Sequence, residues 1–220
     1  MNIMKPGDFS NLADDYASFR PGYARDVCRA ALALPNAPAG KLDVADVGAG
    51  TGIWTRTLHA MGCHKLTAVE PNEAMRAQGV RQSEGLSINW KSGSGEDTTL
   101  PTASQDVLTM ASSFHWPDEA AAMSEFHRVL RPGGQFLCLE FSRVTPALAP
   151  LYDAYSFRLL PVMGRVIARD ADSYRYLAES IRTFPAQDAF AEMIKAAGFD
   201  RVSYRNLSGG IVALHAGWRT

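Results

Sequence analysis

Cysteine is scarce in this chain: 3 of 220 residues, Cys28, Cys63 and Cys138, an odd number with neither Cys-x-x-Cys nor Cys/His spacing. A disulfide framework and a zinc site built on cysteine are thereby excluded, and buried, reduced thiols in a cytoplasmic protein are the expected state. No run reaches the roughly 18 consecutive apolar residues of a membrane-spanning helix. Asp8, Asp14 and Asp15 stand where a secretory signal would need an apolar stretch. An excess of one charge is missing too: 22 Lys and Arg against 23 Asp and Glu leave a formal charge of −1, so nucleic acid and anionic bilayers exert no overall pull. Membrane contact is expected to be transient at most. His59, His64, His127 and His215 show no ligand spacing, and no metal is expected.

What the chain has instead is alternation. Helical periodicity over residues 9–19 and 23–34, interrupted by Arg20-Pro21-Gly22, predicts two leading helices. A buried strand over 42–47 then runs into Gly48-Ala49-Gly50-Thr51-Gly52. A helix over 53–61, a strand over 66–69 ending at Glu70, and a helix over 72–78 with Asn72 as N-cap follow. Strands are predicted over 86–90, 106–111 and 135–141, with a helix over 118–130 and the turn Arg131-Pro132-Gly133-Gly134 before the last of them. Helical spacing returns over 189–197, and two strand-like runs, 201–207 and 211–216, flank Ser208-Gly209-Gly210. The expected fold is α/β: a Rossmann-like, seven-stranded, mostly parallel sheet with helices on both faces and a C-terminal antiparallel hairpin. At 220 residues one core is expected. Residues 1–220 are read as one domain, with lid helices in 1–34 and a helical cap inserted after strand five, over 142–185.

Glycines at a strand-to-helix turn reach backbone angles closed to other residues and let a ligand approach main-chain amides. Glu70, about 20 residues beyond Gly48, is placed to accept hydrogen bonds from both hydroxyls of a ribose. The glycines fall at 48, 50 and 52, whereas a dinucleotide fingerprint wants the third glycine one position later. That register favours a nucleoside ligand without a pyrophosphate.

In order and spacing, the chain resembles the class I S-adenosylmethionine-dependent methyltransferases. Asp46 to Gly52 is similar to their first motif and Glu70-Pro71-Asn72 to their ribose-binding acid. Gly93-Ser94-Gly95-Glu96 is similar to their adenine-side loop, and Arg128-Val129-Leu130-Arg131-Pro132-Gly133-Gly134 to the signature before strand five. The resemblance implies S-adenosyl-L-methionine as cofactor. It implies Gly48, Ala49 and Gly50 beside the methionine part, Glu70 and Pro71 at the ribose, Asn72 and Met75 on one edge of the adenine, and Gly95 and Glu96 on the other. Ser113 and Phe114 complete that set, and Tyr16 and Arg20 belong to a leading helix that resembles the lid of small-molecule methyltransferases.

The second half is similar to a narrower group, the ubiquinone/menaquinone biosynthesis C-methyltransferases. The resemblance rests on Glu140-Phe141-Ser142, Tyr155-Ser156-Phe157, Leu160-Pro161, the run from Asp170 to Ile181, and Gly209 to His215. It implies an electron-rich aromatic acceptor, a quinol above all, and Trp116, Tyr152, Tyr155, Tyr174 and Tyr176 are the candidate lining of its pocket. After strand four that family carries Phe-Gly-Leu-Arg-Asn, whereas this chain reads Ser113-Phe114-His115-Trp116-Pro117-Asp118, as in the broader small-molecule (type 11) methyltransferases.

Methyl transfer to an oxygen or an enolate-like carbon requires the loss of a proton, and His115, at the mouth of strand four, is the candidate general base. O- or N-methylation of another small molecule remains open, as do a nicotinamide-dependent oxidoreductase and a non-catalytic cofactor-binding protein. The expected partner is a small aromatic or quinol molecule, not nucleic acid, and the expected state a monomer or homodimer.

Overall fold

Apolar residues occupy consecutive, not alternate, positions in Val44-Ala45, Val107-Leu108 and Phe136-Leu137-Cys138-Leu139, the pattern of strands covered on both faces. A computed structural model describes residues 22–35, 37–145, 148 and 184–220. Within them the strands are β1 (Asp43–Val47), β2 (Lys65–Val69), β3 (Ile88–Lys91), β4 (Gln105–Ala111), β5 (Leu130–Phe141), β6 (Asp200–Leu207) and β7 (Val212–Trp218). They form one sheet in the order β3-β2-β1-β4-β5-β7-β6. The first five pair in parallel, and β7 is antiparallel to both β5 and β6. The chain reverses direction across the sheet between β1 and β4, so the crevice beyond their C-terminal ends is the place where such folds take ligands.

The described helices are α1 (Arg25–Leu32), α2 (Ile53–Ala60), α3 (Glu73–Gln82), α4 (Glu119–Val129) and α5 (Gln187–Ala196). The Asn72 side chain caps α3 by accepting from the Met75 N–H at 3.1 Å, and Asp118 caps α4 through the Ala121 N–H at 2.9 Å. Each cap stabilises its helix by about 1 kcal/mol.

Successive residues of a strand face opposite sides, so one sheet feeds two cores. Phe136 and Cys138 pack with Leu108, Met110, Phe126 of α4 and Phe190 of α5. Leu137 and Leu139 pack on the other side with Val44, Val107, Cys28 of α1, and Trp54 and Leu58 of α2. Cys28, Cys63 and Cys138 are free and buried; burial pushes the first two thiols up to about 11 and Cys138 well above its ordinary value.

Element edges depart from the sequence reading for local reasons. The helix expected over 23–34 is shorter, because Tyr23 leaves it to pack edge-on against Trp54, ring centres 4.9 Å apart, and donate its hydroxyl to the Ala111 carbonyl at 3.1 Å. β5 starts at Leu130 instead of 135, since Gly133 and Gly134 pair with Arg219 beyond β7: the Gly133 N–H donates to the Arg219 carbonyl and the Arg219 N–H to that of Gly134. α3 continues to Gln82, where Gln82 accepts from Arg56 of α2 at 2.7 Å. At β3 the Trp90 indole lies against two glycines: a Cβ at Gly79 would stand 2.1 Å from the ring, and one at Gly52 2.8 Å.

Candidate active site

The chain leaves β1 through Gly48, Gly50 and Gly52, whose φ angles are +67°, +57° and +79°. The turn is pinned to β2 by the Ala49 N–H, which donates to the Val69 carbonyl at 3.1 Å. A Cβ at Gly48 would lie 2.7 Å from the Ser113 hydroxyl, so the absent side chain leaves the room in which the two loops meet. Beside this turn opens a cavity of about 290 Å³ at the C-terminal ends of β1, β2 and β4. Gly48, Ala49, Gly50, Glu70, Pro71, Asn72, Met75, Gly95, Glu96, Ser113 and Trp116 all line it.

Glu70 is buried at the tip of β2. One carboxylate oxygen accepts the Gly50 N–H and the other the Asn72 N–H, each at 2.8 Å. Burial pushes its carboxyl up, and these two N–H groups partly offset that. A carboxylate offers about four lone pairs, so each oxygen keeps one to accept a further hydroxyl. Across the cavity Glu96 accepts the Asp118 N–H at 2.8 Å. Desolvation works against its charge, but hydrogen bonds from Ser94 and Asp118 outweigh it and hold this carboxyl below the usual range.

Asp46, in the cavity floor, is a residue that sequence reasoning treated only as part of a motif. Its carboxyl is 1% exposed and accepts hydroxyls from Thr55 at 2.5 Å and Thr109 at 3.3 Å. Burial pushes it up to about 7, against those hydrogen bonds and with a small contribution from the Glu70 charge.

At the end of β4 the backbone turns sharply through Ser112, a non-glycine residue at φ +56°. Its N–H stays tied to Leu139 of β5 at 2.8 Å, so the loop 113–117 is thrown over the crevice. Ser113 donates to the Val47 carbonyl at 3.2 Å. Phe114 does not line the cavity: its ring is wholly buried among Phe126, Phe136, Phe184 and Phe190, where an aromatic side chain gains most from burial. His115 stands beside the lining, not on it, with its ring 4.8 Å from that of Trp116 and its Nδ1 3.3 Å from a carboxylate oxygen of Glu140. Tyr16, Arg20, Tyr152, Tyr155, Tyr174 and Tyr176 lie outside the described residues, as do most of 142–185 and the first predicted helix.

Tyr23, Thr51, Trp54, Met110, Ser112 and Pro117 also line the cavity and had not been singled out as site residues. Thr51 lies inside the first motif and Ser112 adjoins Ser113, which is a signal in the sequence; Tyr23 reaches the cavity from the segment just before α1, and the sequence carries no sign of it. Among the described residues no group of three or more His, Cys, Asp or Glu is placed to hold a metal, and no helix is long and apolar enough to cross a membrane.

The model of the ubiE/COQ5 methyltransferase family matches residues 27–219. The chain is similar to the ubiquinone/menaquinone biosynthesis C-methyltransferase UbiE of Methylobacterium nodulans, 48% identical over 181 residues that span 79% of this chain and 72% of that protein. With the protein of the same name from Bradyrhizobium sp. the identity is 50% over 149 residues, 67% of this chain and 59% of that one. Among solved structures, a putative methyltransferase from an antibiotic biosynthesis pathway of Anabaena variabilis superposes with a TM-score of 0.62 at 25% identity, covering 83% of this chain and 64% of the other. A possible histamine N-methyltransferase of Thermotoga maritima shares the fold at a TM-score of 0.64 and 17% identity, over 96% and 98% of the two chains.

The cavity fits the methyl donor of such enzymes. Its glycine turn brings main chain to the lining with no Cβ in the way, Glu70 keeps lone pairs for a diol, and the Thr51 hydroxyl is buried at the lining with no hydrogen-bond partner among the described residues. A matched family model over nearly the whole chain and a cradle of this chemistry lead to one conclusion: the chain belongs to the ubiE/COQ5 methyltransferase family and is an S-adenosylmethionine-dependent methyltransferase.

Proposed function

We propose that this enzyme methylates a ring carbon of a quinol-type aromatic acceptor, with His115 as the base that removes the proton. The observation that supports the reading is a cradle on β1 and β2 with Trp116 of the loop after β4 on its lining, the His115 ring standing against that indole just behind the lining. The relatives' name, ubiquinone/menaquinone biosynthesis C-methyltransferase, supplies the acceptor class.

The bound cofactor supplies a methyl group already activated on a sulfonium. What this chain's residues must do is hold donor and acceptor in line, exclude water and remove one proton for each methyl gained. Gly48, Gly50 and Glu70 hold the donor side. Trp116, 39% exposed at the rim, offers a flat apolar face on which a ring can stack. His115 takes the acceptor's proton: loss of a phenolic proton raises the electron density of the ring carbon, and after transfer the ring hydrogen leaves as a second proton while the oxygen is reprotonated, one proton net.

Incubation with methyl-labelled cofactor and a benzoquinol or naphthoquinol lacking the ring methyl tests this. The expected product carries the label on ring carbon; no transfer to either quinol would overturn the acceptor assignment. A second reading, O- or N-methylation of another small molecule, is favoured by one observation, the Ser113 to Asp118 string standing where the family carries Phe-Gly-Leu-Arg-Asn. Carbon-13 NMR of the product separates the two, because C-methyl, O-methyl and N-methyl carbons resonate in different regions.

A further inference from the structure

Glu140 is a carboxylate near the end of β5, just after the apolar run Phe136 to Leu139, 2% exposed, to which the chemistry above assigns nothing. Its Oε1 accepts the Phe114 N–H at 2.8 Å and lies 3.3 Å from His115 Nδ1, and Oε2 accepts its neighbour Phe141 N–H at 3.2 Å. Among the described residues His115 is the basic side chain beside it, an ion pair only when the ring is protonated, and neither lysine nor arginine stands in that place. A buried carboxylate is tolerated where donors surround it, and here the donors are two main-chain N–H groups and one imidazole.

We propose that Glu140 is a positioning residue that sets the tautomer and orientation of His115. The inference rests on the reading of His115 as the base. An ionised carboxylate only accepts, so the ring nitrogen facing it must carry the hydrogen. In a neutral imidazole that leaves Nε2 bare, with the lone pair a base needs. When Nε2 takes the acceptor's proton, the ring becomes an imidazolium whose charge the adjacent carboxylate offsets, the carboxylate itself remaining ionised, as in the orienting acid of a hydrolase triad. The same carboxylate oxygen that faces the ring also holds the Phe114 N–H, and Phe114 is anchored in the aromatic core. Carboxylate, loop and ring are therefore referenced to one rigid point, with Trp116 beside the imidazole.

The test uses the full chain with nitrogen-15-labelled histidine, the His115 signals assigned by their loss in His115→Ala. In the wild type Nδ1 is expected to be protonated and Nε2 bare; the opposite tautomer would overturn the inference without any variant. Glu140→Gln can donate as well as accept, and is expected to lose the single tautomer and to lower kcat about tenfold or more while leaving the KM for S-adenosylmethionine within about twofold. Glu140→Asp is expected to recover part of both. A Glu140→Gln protein with wild-type tautomer and kcat would also overturn it. A normal rate in His115→Ala would instead sink the base reading, and the tautomer would then still decide whether Glu140 sets the ring.

Discussion

The two flanks of the crevice are built from different material. On the β1–β2 side the wall is shaped by main chain: a glycine turn at positive φ, with the Glu70 carboxylate fixed by two backbone N–H groups at 2.8 Å. On the β4–β5 side they are side chains, Ser113, His115 and Trp116, borne on a loop that Ser112 bends and Glu140 ties down. A main-chain site recognises a ligand shared by a whole fold and admits few substitutions. A side-chain site can be rewritten one residue at a time.

On the roles proposed above, replacing His115 should give the largest effect. His115→Ala is expected to slow methyl transfer about 100-fold or more with cofactor affinity nearly intact. A normal single-turnover rate would erase the division of labour between the flanks. On the other side Gly48→Ala combines a left-handed backbone with a Cβ 2.7 Å from the Ser113 hydroxyl. It should lose about 1–3 kcal/mol in denaturant unfolding, together with cofactor affinity. Glu70→Ala should weaken cofactor binding by roughly 1–3 kcal/mol in calorimetric titration while sparing kcat at saturation; unchanged affinity would refute its role.

Asp46 yields a pH signature of smaller size. Its folded carboxyl sits at about 7 against an ordinary 3.8. Between those values the native state holds a proton that the unfolded chain has released, so the contribution of Asp46 to stability is full below about pH 4 and is lost as pH rises toward 7. Urea unfolding at pH 4.5 and 7.5 should show a weaker loss in Asp46→Asn, and an equal loss would place the buried charge elsewhere. Smallest of all, Arg131→Ala removes half-buried pairs with Asp43 and Asp106 at 2.9 and 2.7 Å, at the opposite end of the sheet from the cavity. It should cost under about 1 kcal/mol and leave transfer untouched.

The main-chain flank was legible before the structure because backbone requirements leave glycine as their trace: Gly48, Gly50 and Gly52, with an acid one strand later, announce a cradle. The side-chain flank was only half legible. His115 was visible as a lone imidazole, but its partner lies 25 residues away on the next strand, and parallel pairing of β4 with β5 brings them together. The available signal was Glu140 itself, a charge ending the apolar run Phe136 to Leu139, which is costly unless partnered. Phe114 misled because motif adjacency does not say which way a ring points; the core claimed it. Strand edges drifted where pairing, not propensity, sets length, as when Arg219 extends β5 through Gly133 and Gly134.

The Trp90 indole, pressed against Gly79 of α3 and Gly52 of the cofactor turn, ties three distant positions into one inherited unit. A methyl added at Gly79 finds no space while the indole stays, and a smaller residue at 90 opens a void beneath the turn. A packing contact at the outer strand thus reaches the glycine turn, and Gly79→Ala should be rescued by a smaller residue at 90, the mark of epistasis.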